Sequence, residues 1–283
     1  MTVTGVKFRT MTRDEVKTAI GFAAAEGWNP GLADADCFHA ADPEGFFCAE
    51  SDGRIVGTVS VVNYNADFSF AGLFVVAPEF REQGIGMQLY RNAMAHAGSR
   101  VVGGDGVIGM VEKYEKDGGL FLHYQNARYE GTGGGTMPAG LTPVSDVRFS
   151  DLVAYDAAHF PASRENFLRC WISRPGHYGL AQRDKSGNLT GYGVRRACGT
   201  GHKIGPLFAQ DRATAEKILD GLLAGIPSEP FFLDIPVINP AATALVRDRG
   251  VRPVFFTARL YSTKEPVVLP FDEIFGITTF ELG

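Results

Sequence analysis

Cysteine is scarce in this chain of 283 residues, which carries only Cys37, Cys48, Cys170 and Cys198. No two of them form a C-x-x-C pair, and none stands at zinc-finger spacing from a histidine, so the pattern argues against a zinc module. We therefore predict no metal site and expect all four cysteines to be buried, reduced thiols, as is usual in a cytoplasmic protein.

Long apolar runs and an excess of positive charge are also missing. No apolar run reaches the roughly 18 residues that a membrane-spanning helix needs. The opening stretch MTVTGVKFRTMTRDEV lacks the apolar segment of a secretory signal, so we expect a cytoplasmic location. The net charge of -5 argues against a general nucleic-acid binder, which usually presents a basic face.

The first half of the chain alternates predicted strands and helices. The dipeptide Asp52-Gly53 separates two apolar runs and predicts a hairpin of antiparallel strands. Apolar residues recur every four positions at Ile85, Leu89 and Ala93, which predicts a helix that Gly98 can end. We also predict a strand at FSFAGLFVV, a buried strand at GVIGMV and a short helix at GGLFLHYQNA.

The second half repeats this order of strands and helices. A Pro- and Gly-containing stretch, PAGLTPVSD, separates the two halves, and we place a domain boundary near residue 140. The sequence therefore predicts an α/β protein of the α+β type with two tandem domains, residues 1–140 and 141–283.

A strand that runs through the glycine-rich turn REQGIG into a helix is typical of an anion site. The free N–H groups and partial positive charge of a helix N-terminus attract phosphate. Gly84 and Gly86 have no Cβ and let a ligand approach the backbone, while Arg81 can add a charged hydrogen bond. Leu89 excludes the dinucleotide fingerprint, and the absence of a following G-K-[ST] excludes a P-loop.

The wider pattern V-x-P-x-x-R-x-x-G-x-G, formed by Val76, Pro78, Arg81, Gly84 and Gly86, resembles the acetyl-CoA signature of the GNAT superfamily of N-acetyltransferases. Downstream, LFLHYQNARYE is similar to that family's late motif F-Y-x-x-x-G-F on the helix after the splayed fifth strand. The resemblance covers roughly residues 6–130.

In the late motif, Tyr124 takes the place of the family's tyrosine, Arg128 that of its glycine and Tyr129 that of its aromatic residue. Arg128 is a departure that affects the turn after the predicted helix. Glu82 is another departure, at a place where the family often has glycine or a basic residue.

This resemblance implies that each half is a mixed, mostly antiparallel sheet flanked by helices, with one splayed strand pair. It implies direct acetyl transfer from acetyl-CoA to a small primary amine or amino-acid derivative, with Tyr124 as the proton donor to the leaving thiolate. Backbone groups of the first half would bind the pantetheine arm and the pyrophosphate. The residues so assigned to coenzyme A are Phe74, Val75, Val76, Arg81, Glu82, Gln83, Gly84, Ile85 and Gly86.

The second half resembles a degenerate copy of the same fold, as in a bacterial subfamily of tandem acetyltransferases. NPAATALVRDRGV is similar to the family's late motif, but Val246 stands at the tyrosine position. No R-x-x-G-x-G occurs between Ile204 and Ile226. The resemblance implies that only the first half holds coenzyme A, and that the second shapes the acceptor site or serves as an interaction surface.

The group that accepts the amine proton is left open by the sequence. A lysine-like amine has a pKa of about 10.4, so its deprotonation at pH 7 costs about 4.6 kcal/mol and a base matters. Glu112, which we expect to end the strand VIGMVE, is our candidate base. Asp67, Asp36 and His39 are alternatives, and a chain of water molecules could serve instead.

Two other functions stay open at this point. A non-catalytic acyl-CoA sensor would keep the phosphate cradle without a base, and a homodimer could form through the second half. The sequence names neither the acceptor amine nor the length of the acyl chain.

Overall fold

The computed structural model describes residues 5–283. The helices of the first half are α1 (Val16–Ala25), α2 (Asp34–Ala41), α3 (Ile85–Ala97) and α4 (Val111–Gly118). Its strands are β1 (Val6–Thr10), β2 (Phe46–Ser51), β3 (Arg54–Asn63), β4 (Phe68–Val76), β5 (Val101–Val107) and β6 (Phe121–Thr132).

The second half has four further helices: α5 (Phe149–Ala158), α6 (Glu165–Ser173), α7 (Arg212–Ala224) and α8 (Pro240–Asp248). Its strands are β7 (Thr142–Pro143), β8 (His177–Arg183), β9 (Leu189–Ala197), β10 (His202–Ala209), β11 (Pro230–Pro236), β12 (Arg252–Tyr261) and β13 (Ile274–Gly276). Among residues 5–283, none of the helices combines the length and the apolar character that a bilayer crossing requires.

The two halves exchange their last long strands and so share one sheet of 13 strands. The strand order is β1-β2-β3-β4-β5-β12-β6-β11-β10-β9-β8-β7, and β13 pairs with β10. β12 of the second half pairs with β5 of the first, and β6 of the first half pairs with β11 of the second. β4 with β5 and β10 with β11 are parallel pairs, whereas the other pairings are antiparallel. The prediction of a mixed, mostly antiparallel α/β fold is confirmed.

Local sequence signals form the elements around the later site as expected. Asp52 and Gly53 both have positive φ, 48° and 74°, and join β2 to β3 in the predicted hairpin. Ile85, Leu89 and Ala93 are buried along α3, and Gly98 ends this helix with a φ of 61°. The predicted hairpin and helix are therefore confirmed.

Two predicted elements downstream of β5 are wrong. β5 stops at Val107, and the chain passes through a short helical turn into α4, so the predicted strand GVIGMV becomes the end of one strand and the start of a helix. The stretch around Tyr124 is strand β6, whereas the late motif predicted a helix there. Tertiary pairing decides this, because β6 is hydrogen-bonded to β11 on one side and β12 on the other.

The cysteine prediction is wrong for one pair. Cys37 of α2 and Cys170 of α6 form a disulfide across 133 residues, which ties a helix of each half together. Cys48 and Cys198 are free and buried, as expected. The spacing of Cys37 and Cys170 gave no sign of this bond, because only the packing of α2 against α6 brings the two together. Residue 140 lies between β6 and β7, and the domain boundary there stays a prediction.

Candidate active site

A gap opens in the sheet where β4 and β5 part. The two strands pair only from Phe68 to Ala71 on β4, while the opposite edge of β5 pairs with β12. The register between β3 and β4 shifts beside Leu73, which has a φ of 49°. Thr58 Oγ1 donates a hydrogen bond of 2.9 Å to the carbonyl oxygen of Leu73 and holds this bulge. The bulge directs β4 away from β5, and the edge of β4 beyond Ala71 is left without β5 as a partner.

A cavity of about 540 Å³ fills this gap and receives residues from both halves of the chain. At one end it is lined by the glycine-rich turn and the first turn of α3. Along its length it is lined by β4, β5 and α4. Farther from this turn along β4, where Gly72 meets Glu281 and Arg128 contacts Trp28 and Phe280, is the far end of the cavity. Its lining residues are Trp28, Arg128, Phe255, Thr257, Phe280 and Glu281.

The turn before α3 presents its backbone to the cavity. Glu82 and Gly84 have positive φ values of 63° and 81°, a backbone shape that turns successive N–H groups toward a common point. Within the described chain no side chain caps the N-terminus of α3, so its first N–H groups are available to a ligand. An added Cβ at Gly86 would approach Phe74 and Val76 to 3.3 Å, so glycine suits this close packing. The arrangement fits an anion at this end of the cavity.

Most of the residues predicted for the cofactor line this cavity, namely Phe74, Val76, Arg81, Glu82, Gly84 and Gly86. Val75 and Ile85 are buried beneath it in the core. The Gln83 amide donates to the carbonyl oxygen of Glu79. The Arg81 guanidinium bonds the carboxylate of Glu26 and the carbonyl oxygen of Val76, so its side chain is already engaged.

Tyr114 on α4 also lines the cavity, and the sequence analysis missed it. Its hydroxyl accepts a hydrogen bond of 3.4 Å from the N–H of Val107, and burial raises the pKa of this phenol. Gly106 makes room for the ring, because an added Cβ there would lie 2.4 Å from Tyr114 Cε2. Tyr114 could have been found from the sequence, because Tyr114 and Gly118 fit the Y-x-x-x-G part of the late motif better than Tyr124 and Arg128 do.

Tyr124 lies on β6 outside the cavity lining. Its hydroxyl is 3.4 Å from Nη1 of Arg259, its ring packs edge-on against Phe271, and burial raises its pKa well above 10. The predicted helical position for Tyr124 is wrong, and the geometry gives no support to its role beside the thioester.

The predicted base candidates are not brought to the cavity either. Glu112 is exposed in the first turn of α4, so its expected place at a strand end is wrong. Asp36 pairs with Arg13 and Arg174, and burial lowers the pKa of His39. Asp67 is exposed in the turn before β4. The roles of these four residues in proton transfer stay predictions without geometric support.

The far end of the cavity is built by strand exchange. Arg128 of β6 donates two hydrogen bonds, of 2.6 and 2.7 Å, to Asp234 of β11 and one of 2.9 Å to the carbonyl oxygen of Trp28. Its guanidinium lies 4.7 Å from the centre of the Phe280 ring. Arg128 therefore anchors residues of both halves, and its expected place in a turn after a helix is wrong.

The corresponding gap in the second half is filled by the chain itself. β10 and β11 are parallel only from His202 to Ile204 on β10, as β4 and β5 are over a short stretch. Beyond this point β13 pairs with β10 at Leu207 and Phe208. The N-terminus of α7 is capped by the Asp211 side chain, which accepts a bond of 2.8 Å from the N–H of Thr214. Gap and helix N-terminus are thus both occupied by this chain's own groups.

Comparison with known proteins agrees with this architecture. Residues 13–116 match the model described as acetyltransferase (GNAT) family, and residues 152–276 match the acetyltransferase (GNAT) domain. The holothin acyltransferase of Pseudoalteromonas sp. is 31% identical over 265 residues, which covers 93% of this chain and 89% of that protein.

Solved structures show the same fold over nearly the whole chain. A Pyrococcus horikoshii protein assigned to the acetyltransferases has a TM-score of 0.83 at 21% identity, with 100% of this chain and 98% of that chain covered. A tandem GNAT protein of the clavulanic acid biosynthesis pathway has a TM-score of 0.61 at 16% identity, with coverage of 93% and 100%. The chain belongs to the GNAT acetyltransferase family, as a tandem protein, and is an acyltransferase.

Proposed function

We propose that this acyltransferase takes an acetyl group from acetyl-CoA and transfers it directly to a small primary amine. One observation carries the proposal: a single cavity runs from the uncapped N-terminus of α3, past Tyr114, to an aromatic end built partly by the second half. The first end suits a phosphate-bearing donor, and the second offers room for an acceptor. Ligand sites at the junction of two units are common.

The donor would be held mainly by backbone groups. The N–H groups of the turn from residue 82 to 86 would bind the pyrophosphate, since the turn's positive φ values gather them at the helix end. The N–H of Arg81 already donates to the carbonyl oxygen of Pro78. The β4 edge at Phe74 and Val76 would bind the pantetheine arm, because β5 has left that edge. Acetyl-CoA would bring an activated thioester to the reaction.

In our proposal the Tyr114 hydroxyl donates its proton to the leaving thiolate. Burial raises the pKa of Tyr114, so the phenol keeps its proton at neutral pH. A thiol resembling that of cysteine has a pKa of about 8.5, so the thiolate leaves readily and the help needed from Tyr114 is modest. The larger demand is removal of the amine proton, at a cost of about 4.6 kcal/mol for a lysine-like amine at pH 7.

The acceptor is an amine that fits an apolar, aromatic end of the cavity. Trp28, Phe255 and Phe280 line this end. The relative named above carries the name holothin acyltransferase, so holothin belongs in a panel of acceptors.

A thiol-release assay tests the proposal. Acetyl-CoA and hexanoyl-CoA are offered with holothin, alkylamines, aromatic amines and amino acids, and coenzyme A release is followed with a thiol reagent. We expect turnover of acetyl-CoA with at least one amine. Titration calorimetry should show one coenzyme A per chain, because β13 and Asp211 occupy the second half's gap and helix end. Two coenzyme A per chain, or no turnover with any amine, would contradict the proposal.

A further inference from the structure

The carboxylate of Glu281, at the aromatic end of the cavity, has no hydrogen-bond partner among the described residues. Glu281 is only 2% exposed and lines the cavity. Among residues 5–283, neither of its carboxylate oxygens has a hydrogen-bond partner. The nearest cation is Lys203 of β10, whose Nζ lies 3.9 Å from Oε1. A buried carboxylate without hydrogen bonds is costly, so its retention calls for a reason.

The other carboxylates that line the cavity differ from Glu281. Asp105 accepts hydrogen bonds from Arg259 and from Asn126, so both of its oxygens are engaged. Glu82 and Asp117 are exposed at the end formed by α3 and α4. Glu281 is thus the lining residue at this end whose carboxylate oxygens are both buried and unbonded.

Glu281 also lies where β4 and β5 part. An added Cβ at Gly72, directly after the last paired residue of β4, would be 1.9 Å from the carbonyl oxygen of Glu281. The residue therefore stands beside the bulge that opens the gap. No hydrogen bond holds its carboxylate, so turning that group toward an amine in the cavity breaks none.

The charged groups around Glu281 are largely committed to one another. Lys203 donates a bond of 3.2 Å to the carbonyl oxygen of Trp28, and burial lowers the pKa of its amine. Arg128 is bonded to Asp234, and Arg196 of β9 is paired with Asp34 of α2. The buried thiol of Cys198 also lies close enough to Lys203 to feel its charge. Three cations and three carboxylates balance in this cluster, so an ammonium ion can approach Glu281 without meeting a net positive charge.

We propose that Glu281 accepts the proton of the acceptor's ammonium group, and that the acceptor is a primary amine borne on an apolar or aromatic body. This inference rests on the proposed function. The first proton passes from the ammonium nitrogen to Glu281 and then to water. The freed lone pair forms the C–N bond at the thioester carbon as the C–S bond breaks. The second nitrogen proton balances the leaving thiolate, through Tyr114, and gives coenzyme A as its thiol.

The test compares Glu281→Gln with the wild-type chain on two amines. n-Butylamine is an ammonium ion at pH 7, whereas hydroxylamine is already neutral. We expect kcat/KM with n-butylamine to fall roughly 100-fold or more, the range for loss of a general base. With hydroxylamine the fall should be much smaller, because no ammonium proton has to be removed before attack. Coenzyme A affinity, measured by calorimetry, should stay unchanged.

Two further variants separate proton transfer from structure. Glu281→Gln leaves Lys203 without its nearby carboxylate, so the double variant Lys203→Met/Glu281→Gln restores the charge balance. We expect the double variant to unfold at a temperature near that of the wild type and to stay slow with n-butylamine. Glu273→Gln is the matched control, since Glu273 pairs with His159 outside the cavity lining and should keep full activity.

The outcomes distinguish a failure of the role proposed for Glu281 from a failure of the proposed acetyltransferase function. Wild-type turnover with an unimpaired Glu281→Gln variant, or full recovery in the double variant, would overturn the role of Glu281 and leave the acetyltransferase proposal standing. Absence of wild-type turnover with every amine would overturn both. Impairment that affects n-butylamine far more than hydroxylamine and persists in the double variant would support the inference.

Discussion

Gly72 of β4 packs against Glu281, and a Cβ on residue 72 would lie 1.9 Å from the carbonyl oxygen of Glu281. This contact joins the bulge of the first half to residues 274–283, which also supply β13 to the second half. The same short segment thus fills one gap in the sheet and lines the proposed acceptor end of the other. This segment is the physical reason why the gap in the second half is filled while the gap in the first half stays open.

Gly72→Ala should displace the segment that carries Phe280 and Glu281. The neighbouring atom is backbone, so the clash cannot be relieved by a side-chain rotation. We expect a loss of acyl transfer with a destabilisation of about 1–3 kcal/mol, the range for overpacking. Turnover and thermal unfolding measure the two effects. Gly21→Ala is the control, because a Cβ on that helical glycine meets nothing within 4 Å and should keep activity. A fully active Gly72→Ala variant would show that the contact does not matter to the site.

Gly84→Val should abolish coenzyme A binding. Gly84 has a φ of 81°, and a β-branched residue there forces the turn to change shape and scatters its N–H groups. The matched control is Gly187→Val in the turn between β8 and β9, where φ is 87° and a Cβ again meets nothing within 4 Å. Both variants carry the same backbone strain, yet only Gly84→Val should lose affinity in calorimetry. Equal affinity of the two variants for coenzyme A would show that the turn at Gly84 has no specific part in binding it.

Tyr114→Phe should slow turnover and leave coenzyme A affinity unchanged. The change removes only the hydroxyl from the cavity lining, and we expect kcat to fall by up to about 100-fold, the lower range for proton-transfer groups. Tyr124→Phe is the control, because Tyr124 lies on β6 beside Arg259 outside the lining. Steady-state kinetics on both variants decide between the two tyrosines. A slow Tyr124→Phe with a normal Tyr114→Phe would restore the assignment made from the sequence.

The disulfide predicts the number of reactive thiols. In denaturant without a reductant, a thiol reagent should detect two thiols per chain, from Cys48 and Cys198, and four after reduction. In the folded protein the reaction should be slow, because burial raises the pKa of the Cys48 thiol to about 11 and leaves little thiolate at pH 8. Four thiols before reduction would show that Cys37 and Cys170 are not bonded.

Much of the donor site could be predicted from the sequence because its signals are local. The turn that precedes α3 depends on glycines at fixed offsets, and Ile85, Leu89 and Ala93 mark the buried face of that helix. A phosphate cradle made of backbone N–H groups needs little more than this turn and helix. The acetyltransferase resemblance, which is now confirmed as family membership, rests on the same stretch.

The late motif shows how a local match fails. Tyr124 and Tyr114 both lie after β5, and the motif match favoured Tyr124, with Tyr129 at the position of the family's aromatic residue. In the fold, residues 121–132 are needed as a strand between β11 and β12, which leaves α4 as the helix beside the gap. Hydrogen bonds to two neighbouring strands outweigh a weak helix preference, because intrinsic helix propensity contributes little free energy compared with the pairing of strands.

Sequence patterns are sufficient here for the alternation of elements, the hairpin at Asp52 and Gly53, and the glycine-rich turn before α3, since each depends on residues a few positions apart. The strand exchange of β6 and β12, the Cys37–Cys170 bond and the approach of Glu281 to Gly72 join residues that are more than 95 positions apart. Only packing of the whole chain brings such residues together. The proposed donor end of the cavity is therefore encoded locally, and the proposed acceptor end exists only in the tertiary structure.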